Sequence, residues 1–274
     1  MTAVSWWGLA LGFTAAFGLV IGSFLNVVVA RVPAGIPLTR ESRCPECDRP
    51  VTPWQNVPIV SWMVLRARCA ACGGPISARY PLVEAATALA FLAVVWIVGD
   101  RASAVDPAGV VALIAYLYLA AISIALALID LDTHRLPNAI VLPSYVVIGL
   151  LFALACLLGA PGESLLRAAL SGAVLFAFYA ILRAVRPGGM GGGDVKLAGV
   201  LGMALGWVGW GALVVGAFAA FVLGGVFGLA LIATRRATRR TAVPFGPWMI
   251  AGAWIGISVG PQIAQWYVGA LTVG

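Results

Sequence analysis

Two carboxylates stand at the ends of apolar stretches. Asp130 lies in ALIDLDTHRLPN and Asp194 in GGMGGGDVK, residues 188–196. An acid in so oily a setting is costly to keep and usually has a use. Two close carboxylates do not both ionise readily, so one keeps a proton and the pair titrates as a unit. The ionised member can activate water while the protonated one polarises a carbonyl. Against this stands a plain reading of Asp194 as the N-cap of a helix after a flexible loop. Either stretch alone favours the plain reading; the two together favour paired-carboxylate chemistry. The glycines before Asp194, Gly191 and Gly193 among them, permit φ > 0 and close approach of a neighbouring segment.

A second constellation is CPEC (Cys44, Cys47) and CAAC (Cys69, Cys72), with 21 residues between Cys47 and Cys69. Four thiolates at this spacing suit a structural, closed zinc site, and Pro45 and Gly73 suit its tight turns. Two disulfides are the competing reading, disfavoured if the segment faces the reducing cytoplasm. Cys156, in an apolar run, reads as a packing residue.

Other polar groups are supporting candidates. Asn26, in GSFLNVVVARVP, needs a partner within its helix bundle; helix packing and a substrate role are equally good readings. Glu84 opens an apolar segment and either pairs with Arg79 or faces the interior. Lys196, one turn after Asp194, is placed to hold a substrate or lipid oxygen. His134 reads as a surface residue. Asp132 is two residues from Asp130 and on a helix points to another face.

The elements that must position these groups are membrane spans. Of 274 residues, 62% are hydrophobic and 10% charged, and the mean hydropathy is +1.02. The fold class is therefore an all-α polytopic membrane protein. Eight apolar segments are expected, at 6–29, 82–98, 110–129, 140–158, 165–182, 197–208, 211–233 and 248–268. The sixth is short and follows the glycines, where non-helical backbone can enter a membrane protein. Fifteen of the seventeen basic residues fall in alternate loops, leaving Arg101 and Arg167 for the others. Basic loops stay inside, so 31–80 is expected in the cytoplasm and both termini outside. That placement explains the net charge of +7 without a nucleic-acid partner. No cleavable signal peptide is expected, because no basic residue precedes the first apolar run. The organisation expected is a first transmembrane helix at 1–30, a cysteine domain at 31–80 and a seven-helix core at 81–274.

GSFLNVVVARVP, the two cysteine pairs, ISARYPLVE, IDLDTHRLPN, GMGGGDVKLAG and VPFGPW follow one another here as in type IV prepilin peptidases, which the chain resembles over nearly its whole length. The GxGD element alone is shared with other intramembrane aspartyl proteases. The resemblance implies a bifunctional bacterial inner-membrane enzyme of type IV pilus or type II secretion systems. It would remove the basic leader of prepilins or pseudopilins after a glycine, then N-methylate the new terminus, usually phenylalanine, from S-adenosylmethionine. By motif position it implies Asp130 and Asp194 as the catalytic pair. The extra glycines before Asp194 are the main departure. Two other classes compete. In a cation-coupled transporter, Asp130 and Asp194 would be ion ligands beside a broken helix. A zinc-stabilised membrane scaffold would have no activity.

Overall fold

The computed structural model describes residues 3–99, 106–186, 190–235 and 244–272. Gly188 and Gly189 of the glycine stretch, and Arg101, Arg236, Arg239 and Arg240 of the charge pattern, lie outside the described residues.

Among the described residues, eight long helices fall on the eight expected segments. They are α1 (Ala3–Arg31), α3 (Arg79–Gly99), α4 (Pro107–Thr133), α5 (Asn138–Leu157), α6 (Gly162–Val185), α7 (Gly192–Val208), α8 (Trp210–Ala233) and α9 (Gly246–Thr272); a short α2 (Val60–Val64) lies between α1 and α3. Six of the eight, all but α7 and α9, are long and apolar enough to cross a membrane. Among the described residues there is no strand, only the isolated bridges Arg43–Pro50 and Arg68–Pro75.

The chain forms two compact units, one of Met1–Trp96 with Leu117–Ala125, the other of Ile97–Tyr116 with Leu126–Gly274. In the first, α1 and α3 touch through small residues. A Cβ on Gly18 would come within 2.6 Å of the Ala88 Cα, and one on Gly22 within 2.6 Å of the Glu84 Cα. With hydrocarbon on the outside, close backbone packing of this kind is what draws helices together.

The second unit is built around α7. This helix packs against α5, α6, α8 and α9, and eleven of its seventeen residues are buried. Its small residues admit the neighbours: a Cβ on Gly202 would meet the Ser171 carbonyl of α6 at 2.6 Å. Here the sequence expectation needs correction. The sixth segment is a continuous helix from Gly192, not an irregular insertion. A helix enclosed by four others need not match the lipid thickness, which accounts for its shortness without breaking it. Arg167 also differs from expectation. It lies inside α6 rather than in a loop, where its guanidinium donates to the carbonyls of Gly206 (2.6 Å) and Trp207 (2.9 Å) at the end of α7. A cation there satisfies orphan carbonyls and complements the helix dipole.

Candidate active site and metal centre

Asp130 sits near the end of α4, whose last turn closes on His134 in the left-handed region (φ 54), its N–H donating to the Asp130 carbonyl at 2.8 Å. The chain then passes Leu136 and re-enters helix after Pro137, a residue that suits a helix start. Asp194 lies in the first turn of α7, two residues inside the helix rather than at its cap. Its Oδ2 reaches back to accept the Gly191 N–H at 3.0 Å, the carboxylate half of a capping box. The plain reading of Asp194 as the N-cap is therefore replaced by a related structural role on one oxygen only.

The glycines act through proximity. None of Gly191, Gly192 and Gly193 has positive φ. A Cβ on Gly193 would meet the Leu136 Cβ at 2.7 Å, and one on Gly246 would lie 2.7 Å from the Asp130 Oδ2 and 3.5 Å from the Leu136 Cδ1. Leu136 is thus wedged between the glycine entering α7 and the glycine opening α9. The Gly246 N–H donates to the Asp130 Oδ2 at 3.0 Å. The two acids are close enough for their charges to interact. Both are buried, Asp130 at 4% and Asp194 at 9% exposure. Among the described residues, Oδ1 of neither accepts a hydrogen bond. Each carboxylate is therefore fixed through one oxygen, Oδ2, by a backbone N–H.

The remaining candidates divide. Lys196 donates from Nζ to the Asn138 Oδ1 at 2.9 Å, and the Tyr145 hydroxyl donates to the Lys196 carbonyl at 2.6 Å, so α5 and α7 are tied together beside Asp194. Asp132 is exposed, as its helical offset predicts. Tyr179 was not singled out in the sequence. It is buried, within electrostatic reach of Asp194, and packed edge-on against Phe178 and tilted against Phe221 and Phe245. An aromatic within the apolar run LFAFYAIL carries no signal of that position. Gly246 had a signal, since it lies in VPFGPW, but its N–H contact to Asp130 is set by the fold.

The four cysteines come together in the first unit, and their sulfurs lie within 4.8 Å of one another. Two equivalent turns place them. The Cys44 N–H donates to the Arg49 carbonyl and the Asp48 N–H to the Cys44 carbonyl, both at 2.9 Å. The Cys69 N–H donates to the Gly74 carbonyl at 2.8 Å and the Gly73 N–H to the Cys69 carbonyl at 2.9 Å. Asp48 and Gly73 occupy the same place in each turn with φ of 55° and 73°. The sulfurs of Cys44 and Cys72 are 3.9 Å apart, well beyond the roughly 2 Å of a disulfide bond, and all five cysteines are free. The backbone N–H groups of Cys72 and Ala71 pull the Cys69 thiol down to about 6. At Cys72 the Gly74 N–H favours the thiolate, but the neighbouring Cys47 sulfur, burial and the other two sulfurs push it up to about 12. Crowded sulfurs that resist joint ionisation are what a divalent cation relieves, and the donor set fits a metal ion.

Asn26 and Glu84 also belong to the first unit. The Asn26 amide donates to the Gly22 carbonyl (3.3 Å) and the Tyr80 carbonyl (3.2 Å), bridging α1 to α3. Glu84 faces the interior at 6% exposure, and its Oε2 accepts the Ile59 N–H at 2.7 Å.

Comparison with known proteins agrees with this division. The bacterial peptidase A24 N-terminal domain matches residues 16–98, and the type IV leader peptidase family matches 117–229. A prepilin leader peptidase/N-methyltransferase of Aeromonas hydrophila is 36% identical, covering 92% of this chain and 91% of its own. Proteins of the same name from Pseudomonas aeruginosa (32%, 93% and 92%) and Neisseria gonorrhoeae (36%, 90% and 89%) are similar over comparable lengths. No solved structure matches the chain. With its two acids gathered at one end of α7 and with relatives matched along nine-tenths of its length, the chain belongs to the type IV leader peptidase family.

Proposed function

We propose that this multi-pass protein of the bacterial inner membrane cleaves the basic leader from prepilins or prepilin-like proteins after a glycine and then N-methylates the freed terminus, with Asp130 and Asp194 as the catalytic pair. The observation that carries the reading is the pair itself: two buried acids, each anchored by one backbone N–H, each with one oxygen left over. The ionised carboxylate takes a proton from water as it attacks the scissile carbonyl carbon, and the protonated partner donates to the carbonyl oxygen. Collapse breaks the C–N bond, and the leaving amine takes a proton from the pair. Gly193 keeps α7 close to Leu136, the Gly191 N–H anchors Asp194, and Lys196 holds Asn138 beside the site.

On the same reading, 1–30 is the first transmembrane helix, 31–80 a zinc domain and 81–274 the peptidase core. Cys44, Cys47, Cys69 and Cys72 hold Zn²⁺ as a structural ion, since four thiolates leave no open position. S-adenosylmethionine supplies the methyl group, as the name shared by the relatives implies. The basic loops orient 31–80 and the acids toward the cytoplasm, with both termini outside. Family membership disfavours the transporter and scaffold readings, and α7 runs unbroken from Gly192.

Incubating the purified protein with a prepilin peptide and S-adenosylmethionine tests the function: the expected product has lost its leader and gained one methyl group, and an unchanged peptide mass would refute it. Orientation is checked separately. A membrane-impermeant thiol reagent applied from outside should label a cysteine placed at Gly162 and miss one placed at Arg40.

A further inference from the structure

Between the two cysteine turns runs a stretch that is built inside out. Residues 53–65, PWQNVPIVSWMVL, hold no charged side chain. They form a 3-10 turn (Pro53–Asn56) and then α2, and neither element has a buried residue. Trp54, Val57, Val60, Met63 and Val64 are exposed, Met63 at 65% and Val64 at 68%. The polar Gln55 and Ser61 are less exposed than these apolar neighbours, and the Gln55 side chain turns back to accept the Thr52 N–H at 3.1 Å. A contiguous apolar patch of this kind marks a surface that something covers. The stretch cannot roll over to hide it. The Trp62 Nε1–H donates to the Ile76 carbonyl at 3.1 Å, and the Ala67 N–H donates to the Trp62 carbonyl at 2.9 Å.

The level of the stretch along the spans says what covers it. Arg31 ends α1 and Arg79 begins α3, and cations at span ends mark the edge of the hydrocarbon. The Ile59 N–H donates to the Glu84 Oε2 at 2.7 Å. Glu84 lies five residues beyond Arg79, which is about 7.5 Å along the helix axis. The stretch therefore meets α3 within the span and not at its tip. An apolar side chain held at that level and turned out of the unit meets lipid.

We infer that residues 53–65 are an interfacial anchor. Their apolar side lies at the headgroup–acyl boundary of the leaflet from which α1 and α3 emerge, and Arg66 and Arg68 rest on its anionic headgroups. This goes beyond the peptidase reading and does not depend on it. Thirteen residues are too few to cross a bilayer and suit a segment lying in its surface. The Trp54 ring, apolar with one polar edge, belongs at headgroup level. Arg66 and Arg68 follow the stretch directly and are both exposed. Among the described residues neither has an acidic partner, and an anionic phospholipid supplies one. Arg66 and Ala67, at φ 52 and 59, turn the chain back toward Cys69. The anchor thus holds the second cysteine turn at the membrane surface.

The test uses the full-length protein in vesicles of phosphatidylethanolamine and phosphatidylglycerol. The photoreactive residue p-benzoylphenylalanine is placed at Met63 in one variant and at Leu89, exposed on α3, in another. On irradiation position 63 should gain the mass of a phospholipid in a yield comparable to position 89. Capture of a second copy of the chain or of an added prepilin peptide at position 63, or no lipid there while position 89 captures it, would overturn the anchor. The lipid captured at 63 should be enriched in phosphatidylglycerol over the vesicle composition, and Arg66→Gln with Arg68→Gln should remove that enrichment. No enrichment, or enrichment that survives the double change, would overturn the role of the arginines. A measurement without the photoreactive residue reads Trp54 directly. Its emission, taken as the parental spectrum minus that of Trp54→Phe, should be quenched by lipids brominated on the acyl chain and shielded from aqueous acrylamide. Quenching by acrylamide and not by brominated lipid would place the stretch in water and end the inference.

Discussion

The cysteine turns and the aspartate pair are both small constellations of ionisable groups, but they are assembled in opposite ways. Each cysteine pair is set by a turn of a few residues, and the second turn repeats the first hydrogen bond for hydrogen bond. What joins the two turns is the short stretch between them and, on the proposed reading, a metal ion. The aspartates are 64 residues apart and have no local motif that brings them together. They meet because Gly193 and Gly246 let α7 and α9 close on Leu136, in the link between α4 and α5. On that reading ligand chemistry holds one site, and the packing of whole helices holds the other. Each should yield to a different perturbation.

The largest effect is expected at the acids themselves. Asp130→Asn and Asp194→Asn should each lower leader cleavage by about a thousandfold or more at matched enzyme levels, since an amide cannot take a proton from water or return it. The double variant should be little worse than either single one, because residues acting as a unit are not additive. Either variant cleaving near the parental rate would sink the aspartyl mechanism.

The packing side of the comparison is sharpened by Gly193→Ala and Gly246→Ala. Each methyl would sit 2.7 Å from an atom of the site, the Leu136 Cβ or the Asp130 Oδ2. A shift of about 1 Å at reacting groups can cost around a hundredfold, and a loss of that order in cleavage is expected with the protein still folded in the membrane. Gly225→Ala, where a Cβ would meet nothing within 4 Å, is the control. Equal behaviour of all three in the peptide assay would mean that close packing does not position the acids.

Metal removal tests the other side. Cys44→Ser with Cys47→Ser should release one zinc per chain by elemental analysis and open 40–75 to proteolysis, because the ion's binding energy is part of that region's folding energy. Methylation should suffer more than cleavage. An unmutated protein purified under reducing conditions without chelator and found to hold no metal would end the zinc reading.

The same contrast governs what could be read from the sequence. Hydropathy located all eight long helices, and the two C-x-x-C pairs declared their tetrad, because both signals are local. The acids were legible as a pair only because each stands alone in an apolar run. Tyr179, Leu136 and the Gly246 N–H were not legible, since their roles depend on which helix end faces which. The expectation of irregular backbone in the sixth segment failed for a related reason. Shortness alone does not distinguish a broken span from a helix sheltered by four others, and the burial of α7 decides it.

The smallest effect is expected at Asp132, and it bears on the comparison most finely. Asp130 and Asp132 share one motif and one helix, so composition and charge treat them alike. Helical geometry does not: two residues is about 200° around the axis, and the structure buries Asp130 while leaving Asp132 exposed. If the site is made by helix packing, only the acid on the packed face can be part of it. Asp132→Asn should then cleave within about twofold of the parental rate, in the range of an ordinary surface change, under the assay in which Asp130→Asn is dead. A loss at Asp132 approaching that at Asp130 would mean that the end of α4 is remodelled when substrate binds, and that the pair was assigned to the wrong face.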